Sequence, residues 1–137
     1  MTPQTSKLVE FALRYTAAWC SGDPARVASF FAPEGSLAIN GAPAVGRMAI
    51  IEAAHGFMQA FPDMRVVMDT LIEQESGAVY HWTLTGTNTG PGGTGKRVRI
   101  SGFEEWTINA DGLIAASKGT FDKADYQRQL ENGCEST

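Results

Sequence analysis

Residues 78–109 read AVYHWTLTGTNTGPGGTGKRVRISGFEEWTIN, and their pattern predicts two β-strands joined by a loop. In 78–88 and 97–109, apolar residues recur at every second position, the spacing of strands with one buried face. The even-numbered residues are the more apolar set, so they should face a core while the odd-numbered ones face outward. Glu104 is the exception, because it places a carboxylate on the apolar face beside Trp106.

The loop between these strands contains a phosphate-binding motif only in part. Residues 90–96 fit G-x-x-x-x-G-K, the beginning of a P-loop. A P-loop continues with Ser or Thr, which binds Mg²⁺, and then with a helix. Here Arg97 follows, and it opens a strand. We therefore interpret residues 89–96 as a glycine-rich hairpin loop and expect no nucleotide site.

Helical spacing precedes this region, and further strands flank it. Leu8, Phe11 and Tyr15 fall on one face of a first helix, and Asn40-Gly41 is a turn signal after a short strand. The predicted helices are about 6–21, 24–32, 46–61 and 123–131, and the predicted strands are about 36–40, 65–75, 78–88, 97–109 and 113–120. Three helices before an antiparallel run of strands, without βαβ alternation, predict one α+β domain over 1–137.

The composition excludes several classes of protein. Eleven Lys and Arg against 15 Asp and Glu give a net charge of −4, which lacks the basic surface that nucleic-acid binding requires. No apolar run approaches the ~20 residues of a membrane span, and Lys7, Glu10 and Arg14 interrupt the place of a signal peptide, so we expect a cytoplasmic protein without membrane contact. Two His and two Cys, the latter expected as free thiols, show no metal-binding spacing.

Five local sequences occur in an order that resembles the SnoaL-like polyketide cyclases of the NTF2-like superfamily. They are Ala60-Phe61-Pro62-Asp63, residues 82–90, residues 94–102, residues 110–114, and Phe121-Asp122 followed by Gln129-Leu130. The resemblance covers about residues 6–131. It implies a cone-shaped α+β fold, in which a curved antiparallel sheet wraps around the N-terminal helices and leaves an apolar pocket.

The resemblance also implies a chemistry. SnoaL-like cyclases are thought to close a ring after a pocket carboxylate removes an activated proton, and they need no metal or organic cofactor. Asp122 matches the aspartate that would act as base, and Glu104 stands where these families often have a polar residue. Lys118 or Tyr15 would stabilise the developing enolate. Because the superfamily also contains non-catalytic binding modules, a ligand carrier or dimeric association module is the alternative to a cyclase, isomerase or dehydratase.

Both carboxylates also have a structural explanation. Asp122 precedes a helix with Asp125 at the third position, so it would serve as an N-cap. Glu104 would form a buried ion pair if Lys118 faces inward, as regular alternation on the next strand suggests. An unpaired Glu104 would instead have its pKa raised by burial, as a base working near neutral pH requires. The sequence leaves both alternatives open.

The remaining candidates are expected to line the pocket or an interface. Aromatic residues of the apolar faces are core residues first, and some of them would contact a small hydrophobic carbonyl ligand. Asn40 would offer its amide to such a ligand or serve only as the turn residue. The predicted ligand-binding residues are Tyr15, Trp19, Asn40, Phe57, Phe61, Trp82, Trp106 and Lys118. The predicted convex outer face, through which we expect a homodimer, consists of His81, Thr83, Thr85, Arg97, Arg99, Phe103 and Thr107.

Overall fold

The computed structural model describes residues 7–134, which form four helices and six strands. The helices are α1 (Lys7–Trp19), α2 (Pro24–Ala28), α3 (Arg47–Ala60) and α4 (Lys123–Asn132). The strands are β1 (Phe31–Ile39), β2 (Ala42–Val45), β3 (Arg65–Gln74), β4 (Gly77–Thr87), β5 (Arg97–Ile108) and β6 (Ile114–Phe121). They form one sheet in the order β2-β1-β6-β5-β4-β3.

The predicted α+β fold with a curved sheet is confirmed. Strands β3 to β6 form the expected antiparallel run, and β1 joins it by a parallel pairing with β6. Burial alternates along β4 and β5 as predicted, with Tyr80 and Leu84 buried on the first strand and Ile100 and Trp106 on the second. The even-numbered side chains of these two strands therefore face the helices.

The structure differs from the sequence-based prediction in residues 29–45. Helix α2 ends at Ala28 and β1 begins at Phe31, whereas apolar spacing had predicted a longer helix. Phe31 is fully buried in the parallel pairing with β6, a long-range contact that local spacing does not encode. Asn40 and Gly41 have φ angles of 50° and 86°, so they form a tight hairpin turn that adds β2, which the sequence did not predict.

The loop between β4 and β5 is a hairpin loop, as predicted. Buried Asn88 holds it, because its amide oxygen accepts from the Thr94 backbone N–H at 2.8 Å and its amide nitrogen donates to the Ala60 carbonyl at 3.2 Å. A Cβ on Gly90 would lie 1.9 Å from the carbonyl oxygen of Gln59, so this close approach to the end of α3 requires glycine. A strand follows the loop where a phosphate site would need a helix N-terminus.

Aromatic side chains of α1, β4 and β5 form the centre of the core. Tyr15 is fully buried, with ring centroids 5.4 Å from Tyr80 and 5.2 Å from Trp106. Tyr80 and Trp106 stack with centroids 4.9 Å apart. Aromatic pairs contribute about 0.5–1.5 kcal/mol each beyond the area they bury. This cluster fixes α1 across the sheet and thereby fixes the surroundings of Glu104.

Candidate functional site

The helices and the inner face of the sheet line a partly open cavity of about 60 Å³. Among the residues described, Glu104 is the one carboxylate in the cavity wall, and no Lys, Arg or His belongs to it. The wall consists of Trp19, Leu37, Ile39, Phe57, Val66, Tyr80, Trp82, Leu84, Ile100, Glu104, Gly119 and Phe121.

Glu104 lies on β5, buried and facing inward as its even position predicted. Three side chains donate hydrogen bonds to its Oε1: the Tyr15 hydroxyl at 2.9 Å, the Trp106 indole N–H at 2.9 Å and the Ser117 hydroxyl at 2.8 Å. Among residues 7–134, its Oε2 receives only a longer contact from the Tyr15 hydroxyl, at 3.2 Å. One carboxylate oxygen is therefore held by the core, while the other retains the capacity to accept a proton.

The electrostatics of the site follow from burial. Burial raises the pKa of Glu104 above its ordinary value, and hydrogen bonds from Trp106, Ser117 and Tyr15 oppose this shift without cancelling it. Burial also raises the pKa of Tyr15 well above its ordinary value, and the Glu104 carboxylate raises it further. Tyr15 therefore remains a hydrogen-bond donor, and Glu104 is the group that can gain or lose a proton.

The predicted inward position of Lys118 is wrong, and with it the ion pair to Glu104. Lys118 is exposed and lies opposite Glu105 in the β5–β6 register. The register shifts near the start of β6, so that Ile114 and Ser117 both face the core and the inward positions change from even to odd numbers. Regular alternation, which predicted an inward Lys118, does not hold across this irregularity. Lys118 therefore lies outside the cavity wall and cannot contact a ligand there.

Asp122 and Asn40 are likewise absent from the cavity wall. Asp122 is exposed, and its Oδ1 accepts a hydrogen bond from the Asp125 backbone N–H at 3.0 Å as the N-cap of α4. The cap accounts for this residue, and the geometry does not support Asp122 as the base. The Asn40 side-chain oxygen accepts from the Phe121 backbone N–H at 2.9 Å, which fastens the β1–β2 turn to the end of β6.

Three of the predicted ligand-binding aromatic residues line the cavity: Trp19, Phe57 and Trp82. Tyr15 and Trp106 are not part of the wall, and they act on the site through their hydrogen bonds to Glu104. Phe61 is buried elsewhere in the core, where its ring packs 6.4 Å from that of Tyr126. The structure thus brings together part of the predicted set around a single carboxylate.

The indole N–H groups of Trp19 and Trp82 are buried, and neither meets an acceptor among the described residues. A buried donor without an acceptor costs about 1–3 kcal/mol, and native proteins contain few of them. Burial and the Glu104 charge raise the pKa of Tyr15, and a weak hydrogen bond from the Trp19 side chain to the Tyr15 hydroxyl, outside normal hydrogen-bond geometry, lowers it in part. Two unused donors therefore belong to residues of the cavity wall.

Sequence reasoning missed Ser117 and the wall residues that β1 contributes. Ser117 is 1% exposed and donates to Glu104, but the irregularity in β6 concealed that the two residues share a face. Leu37 and Ile39 lie within the predicted strand 36–40, but the sequence did not show that this strand joins the cavity wall through its parallel pairing with β6. A small polar residue on the strand next to a buried carboxylate is the signal that would have identified Ser117.

The described part of the chain shows neither a metal site nor a membrane-spanning helix. Across residues 7–134, no group of three His, Cys, Asp or Glu side chains comes together to hold a metal ion. None of the helices described there is long and apolar enough to cross a membrane. Cys20 and Cys134 are both free thiols. Glu104 is therefore the acid–base group of the candidate site among the described residues.

Solved structures of low sequence identity share this fold. A proposed SnoaL-like polyketide cyclase from Jannaschia sp. CCS1 superposes with a TM-score of 0.79 and 17% identity, over 97% of this chain and 100% of that one. A protein with a ketosteroid isomerase-like fold from Catenulispora acidiphila, in complex with trimethylamine, gives 0.79 and 15%, over 92% and 94%. TerC, co-crystallised with polyporic acid, gives 0.74 and 20%, over 92% and 99%. At these identities the likeness establishes the fold alone.

No functionally curated protein matches the chain significantly. At the level of sequence families, residues 12–117 match the SnoaL-like domain. This segment includes Glu104, its three hydrogen-bond donors and both tryptophans of the cavity wall. The family match agrees with the resemblance carried by the five local sequences, and the chain belongs to the SnoaL-like domain family.

Proposed function

We propose that this protein binds a small, mainly apolar carbonyl compound in the cavity and transfers a proton on it, with Glu104 as the acid–base group. The Glu104 carboxylate carries this proposal, because it lies in an apolar wall, is held through Oε1 and has an Oε2 that can accept a proton. Cyclisation, isomerisation and dehydration of a carbonyl compound all contain such a step.

The raised pKa of Glu104 suits this role. A carboxylate whose pKa is raised by burial is a stronger base than an exposed one, and it exchanges its proton closer to neutral pH. The C–H bond next to the carbonyl breaks, its electron pair forms an enolate, and the proton passes to Oε2 of Glu104. Return of the proton to another carbon completes an isomerisation, and attack of the enolate on a second carbonyl closes a ring. Tyr15, Trp106 and Ser117 keep the carboxylate oriented throughout.

Ligand entry requires the cavity to expand. Its volume of about 60 Å³ is well below the ~300–1,000 Å³ typical of ligand pockets. Ile39, Phe57, Trp82 and Phe121 belong to the wall and are partly exposed, so we expect the opening on their side. Two structural neighbours hold small organic molecules, trimethylamine and polyporic acid, which supports a small-molecule ligand for this chain.

Exchange of the α-protons of 1-indanone in D₂O, followed by ¹H NMR, tests the proposed reaction. The protein should accelerate exchange over buffer, and Glu104→Gln should lower the protein-catalysed rate by about 10²–10⁴-fold. Glu105→Gln is the matched control, because this neighbour is exposed on the other face of β5 and should leave the rate unchanged. Equal rates for the wild type and Glu104→Gln would contradict the proposal.

The second candidate function is a non-catalytic ligand carrier. The three hydrogen bonds to Oε1 favour this function, because they hold Glu104 in the core as they would hold a carboxylate with a structural role. A carrier binds 1-indanone without accelerating exchange of its α-protons. Binding measured by saturation-transfer NMR, taken together with the exchange rate, separates the two functions.

We also propose the homodimer expected through the outer face of the sheet. Arg97 and Arg99 are exposed on this face, and the His81 ring lies 5.8 Å from that of Phe103. This mixture of cations and partly exposed rings suits a sheet-on-sheet contact. Sedimentation should show a dimer at tens of micromolar protein, and Phe103→Glu should shift it toward monomer. A wild-type monomer at that concentration contradicts the dimer.

A further inference from the structure

The three tryptophans of the chain differ in what their indole N–H groups bind. The Trp106 N–H donates to Glu104 at 2.9 Å. The N–H groups of Trp19 and Trp82 are buried without an acceptor in the described part of the chain, and both residues line the cavity that Glu104 also lines. A protein core normally pairs such donors, and both of these belong to residues of the same cavity wall.

The phenylalanine neighbours of these two tryptophans supply no acceptor, and the Tyr15 hydroxyl, which lies near the Trp19 N–H, makes no hydrogen bond of normal geometry with it. Trp19 packs edge-on against Phe57, with centroids 6.3 Å apart, and Trp82 packs edge-on against Phe121 at 6.0 Å. Both of these phenylalanines also belong to the cavity wall, so each indole is positioned by a hydrocarbon ring. This packing positions the indoles, and their N–H groups make no hydrogen bond of normal geometry with the described residues.

We propose that the indole N–H groups of Trp19 and Trp82 bind the oxygen atoms of an uncharged ketone or enol, on the substrate that Glu104 deprotonates. This inference rests on the proposed function, and it names the groups that hold the substrate oxygen. Indole N–H is a donor only and carries no charge. Since the wall also holds no Lys, Arg or His among its described residues, it suits a neutral ligand better than a carboxylate or phosphate.

The donor pair completes the proton-transfer step. When the C–H bond breaks and its proton passes to Glu104, the electron pair moves onto the carbonyl oxygen as an enolate. Fixed N–H donors in an apolar site stabilise that charge more than they stabilise the neutral ketone, which is the condition for faster reaction. Lys118 and Tyr15, the residues expected from the sequence to stabilise the enolate, are not free to do so, because Lys118 is exposed and the Tyr15 hydroxyl donates to Glu104.

The indole N–H signals in ¹H–¹⁵N NMR spectra test the proposal directly. The wild type has three such signals, which Trp19→Phe, Trp82→Phe and Trp106→Phe assign. On titration with 1-indanone, whose single oxygen can be bound by one or both indoles, the Trp19 signal, the Trp82 signal or both should shift downfield, and Trp106, already bonded to Glu104, should move much less. The control ligand 1-methyleneindane has the same shape but a CH₂ group in place of the oxygen, and it should not produce the downfield shifts.

Two results overturn the proposal: equal shifts with both ligands, and no shift of either signal at a saturating concentration of 1-indanone. The same titration of Glu104→Gln should reproduce the wild-type shifts, because the variant retains the indoles. If Glu104→Gln loses the exchange of α-protons and retains the indole N–H shifts, both proposals are supported. If the wild type accelerates exchange but shows no indole N–H shift, this inference is overturned and the proposed function stands.

Affinity provides a second measurement. Trp19→Phe and Trp82→Phe keep an aromatic ring, remove the indole N–H and make the side chain smaller. Each should weaken 1-indanone binding by about 2- to 12-fold, the equivalent of one net hydrogen bond. 1-Methyleneindane cannot accept a hydrogen bond, so any change in its affinity reports the altered cavity shape. Its affinity should change less than that of 1-indanone in both variants. Unchanged affinity of both folded variants for 1-indanone overturns the proposal.

Discussion

Glu104 and Glu105 are neighbours of the same type on β5, and their environments are opposite. Glu104 is buried, accepts three hydrogen bonds on Oε1 and has a raised pKa. Glu105 is exposed and lies opposite Lys118 in the sheet. The pleat alone decides which of the two carboxylates meets the cavity. Strand parity, more than residue type, therefore creates the candidate site.

The same contrast is found on β6, where one irregular position determines which residues face the core. Ser117 is buried and donates to Glu104, whereas Lys118 next to it is exposed. With a regular strand, these two residues would exchange faces. The site would then contain a buried ion pair, which neutralises a base. The register shift near Ile114 thus keeps a cation away from Glu104 and leaves it with neutral donors.

Replacement of each glutamate by leucine gives the largest expected difference between the two faces. Glu104→Leu should lower the free energy of unfolding by about 2–4 kcal/mol, because it leaves Tyr15, Trp106 and Ser117 without their acceptor while it removes an expensive buried carboxylate. Glu105→Leu should change it by less than about 0.5 kcal/mol, as for most exposed positions. Urea denaturation of the three proteins measures both values, and equal losses would remove the distinction between the faces.

This comparison also shows what the sequence can predict. Alternation in 78–109 placed Glu104 on the inner face and identified it as the unusual residue, and the structure confirms that placement. The hydrogen-bond donors of Glu104 come from α1 and from beyond an irregularity in β6, so they depend on long-range register. The unused N–H groups of Trp19 and Trp82 are visible only once each atom's neighbours are known. The local spacing of apolar residues predicts the type of element and its buried face, but it predicts neither the register between strands nor the positions of β-bulges.

The pH dependence of stability sharpens the comparison further. Because the pKa of Glu104 is higher in the folded protein than in the unfolded chain, the folded state retains a proton that the unfolded state has lost. The stability that Glu104 contributes is therefore present at low pH and is lost as the pH rises through the folded pKa, by at most about 1.4 kcal/mol per pH unit. Glu104→Gln should abolish this decline in urea denaturation midpoints, and Glu105→Gln should retain it. A decline unchanged in Glu104→Gln would contradict the assignment.

Asp63 should show the opposite sign in the same measurement. The Thr87 backbone N–H donates to its carboxylate at 2.7 Å, and this bond lowers the pKa of Asp63. The stability that it contributes is present above the unfolded pKa and is lost as the pH falls through the folded pKa. Asp63→Asn should therefore reduce the loss of stability on the acid side. An acid limb identical to that of the wild type would count against this hydrogen bond.

Two serines with similar bonds distinguish the faces at the level of a single hydroxyl. Ser117 donates to the buried Glu104 at 2.8 Å, whereas the exposed Ser101 pairs with the Thr83 hydroxyl at 2.8 Å. Ser117→Ala should lower the free energy of unfolding by about 1.5–3 kcal/mol if Glu104 is ionised, as is typical of hydrogen bonds to charged groups. It should also raise the pKa of Glu104, which ¹³C NMR of its carboxyl carbon would report. Ser101→Ala should change stability by less and leave that pKa unchanged, and the reverse order would be inconsistent with the structure.

The smallest effect is expected at Lys118, and its smallness is informative. Lys118→Met should change the free energy of unfolding by less than about 0.5 kcal/mol, because the side chain is exposed and its nearest cross-strand partner, Glu105, is exposed as well. In a double-mutant cycle with Glu104→Gln, the coupling between the two sites should be close to zero. A buried ion pair would instead make Glu104→Gln cost about 3–5 kcal/mol, and Lys118→Met would restore that loss in the double variant. Chemical denaturation of the two single variants and the double variant distinguishes these patterns. Restoration by Lys118→Met would return the lysine to the inner face and remove Glu104 as the proposed base.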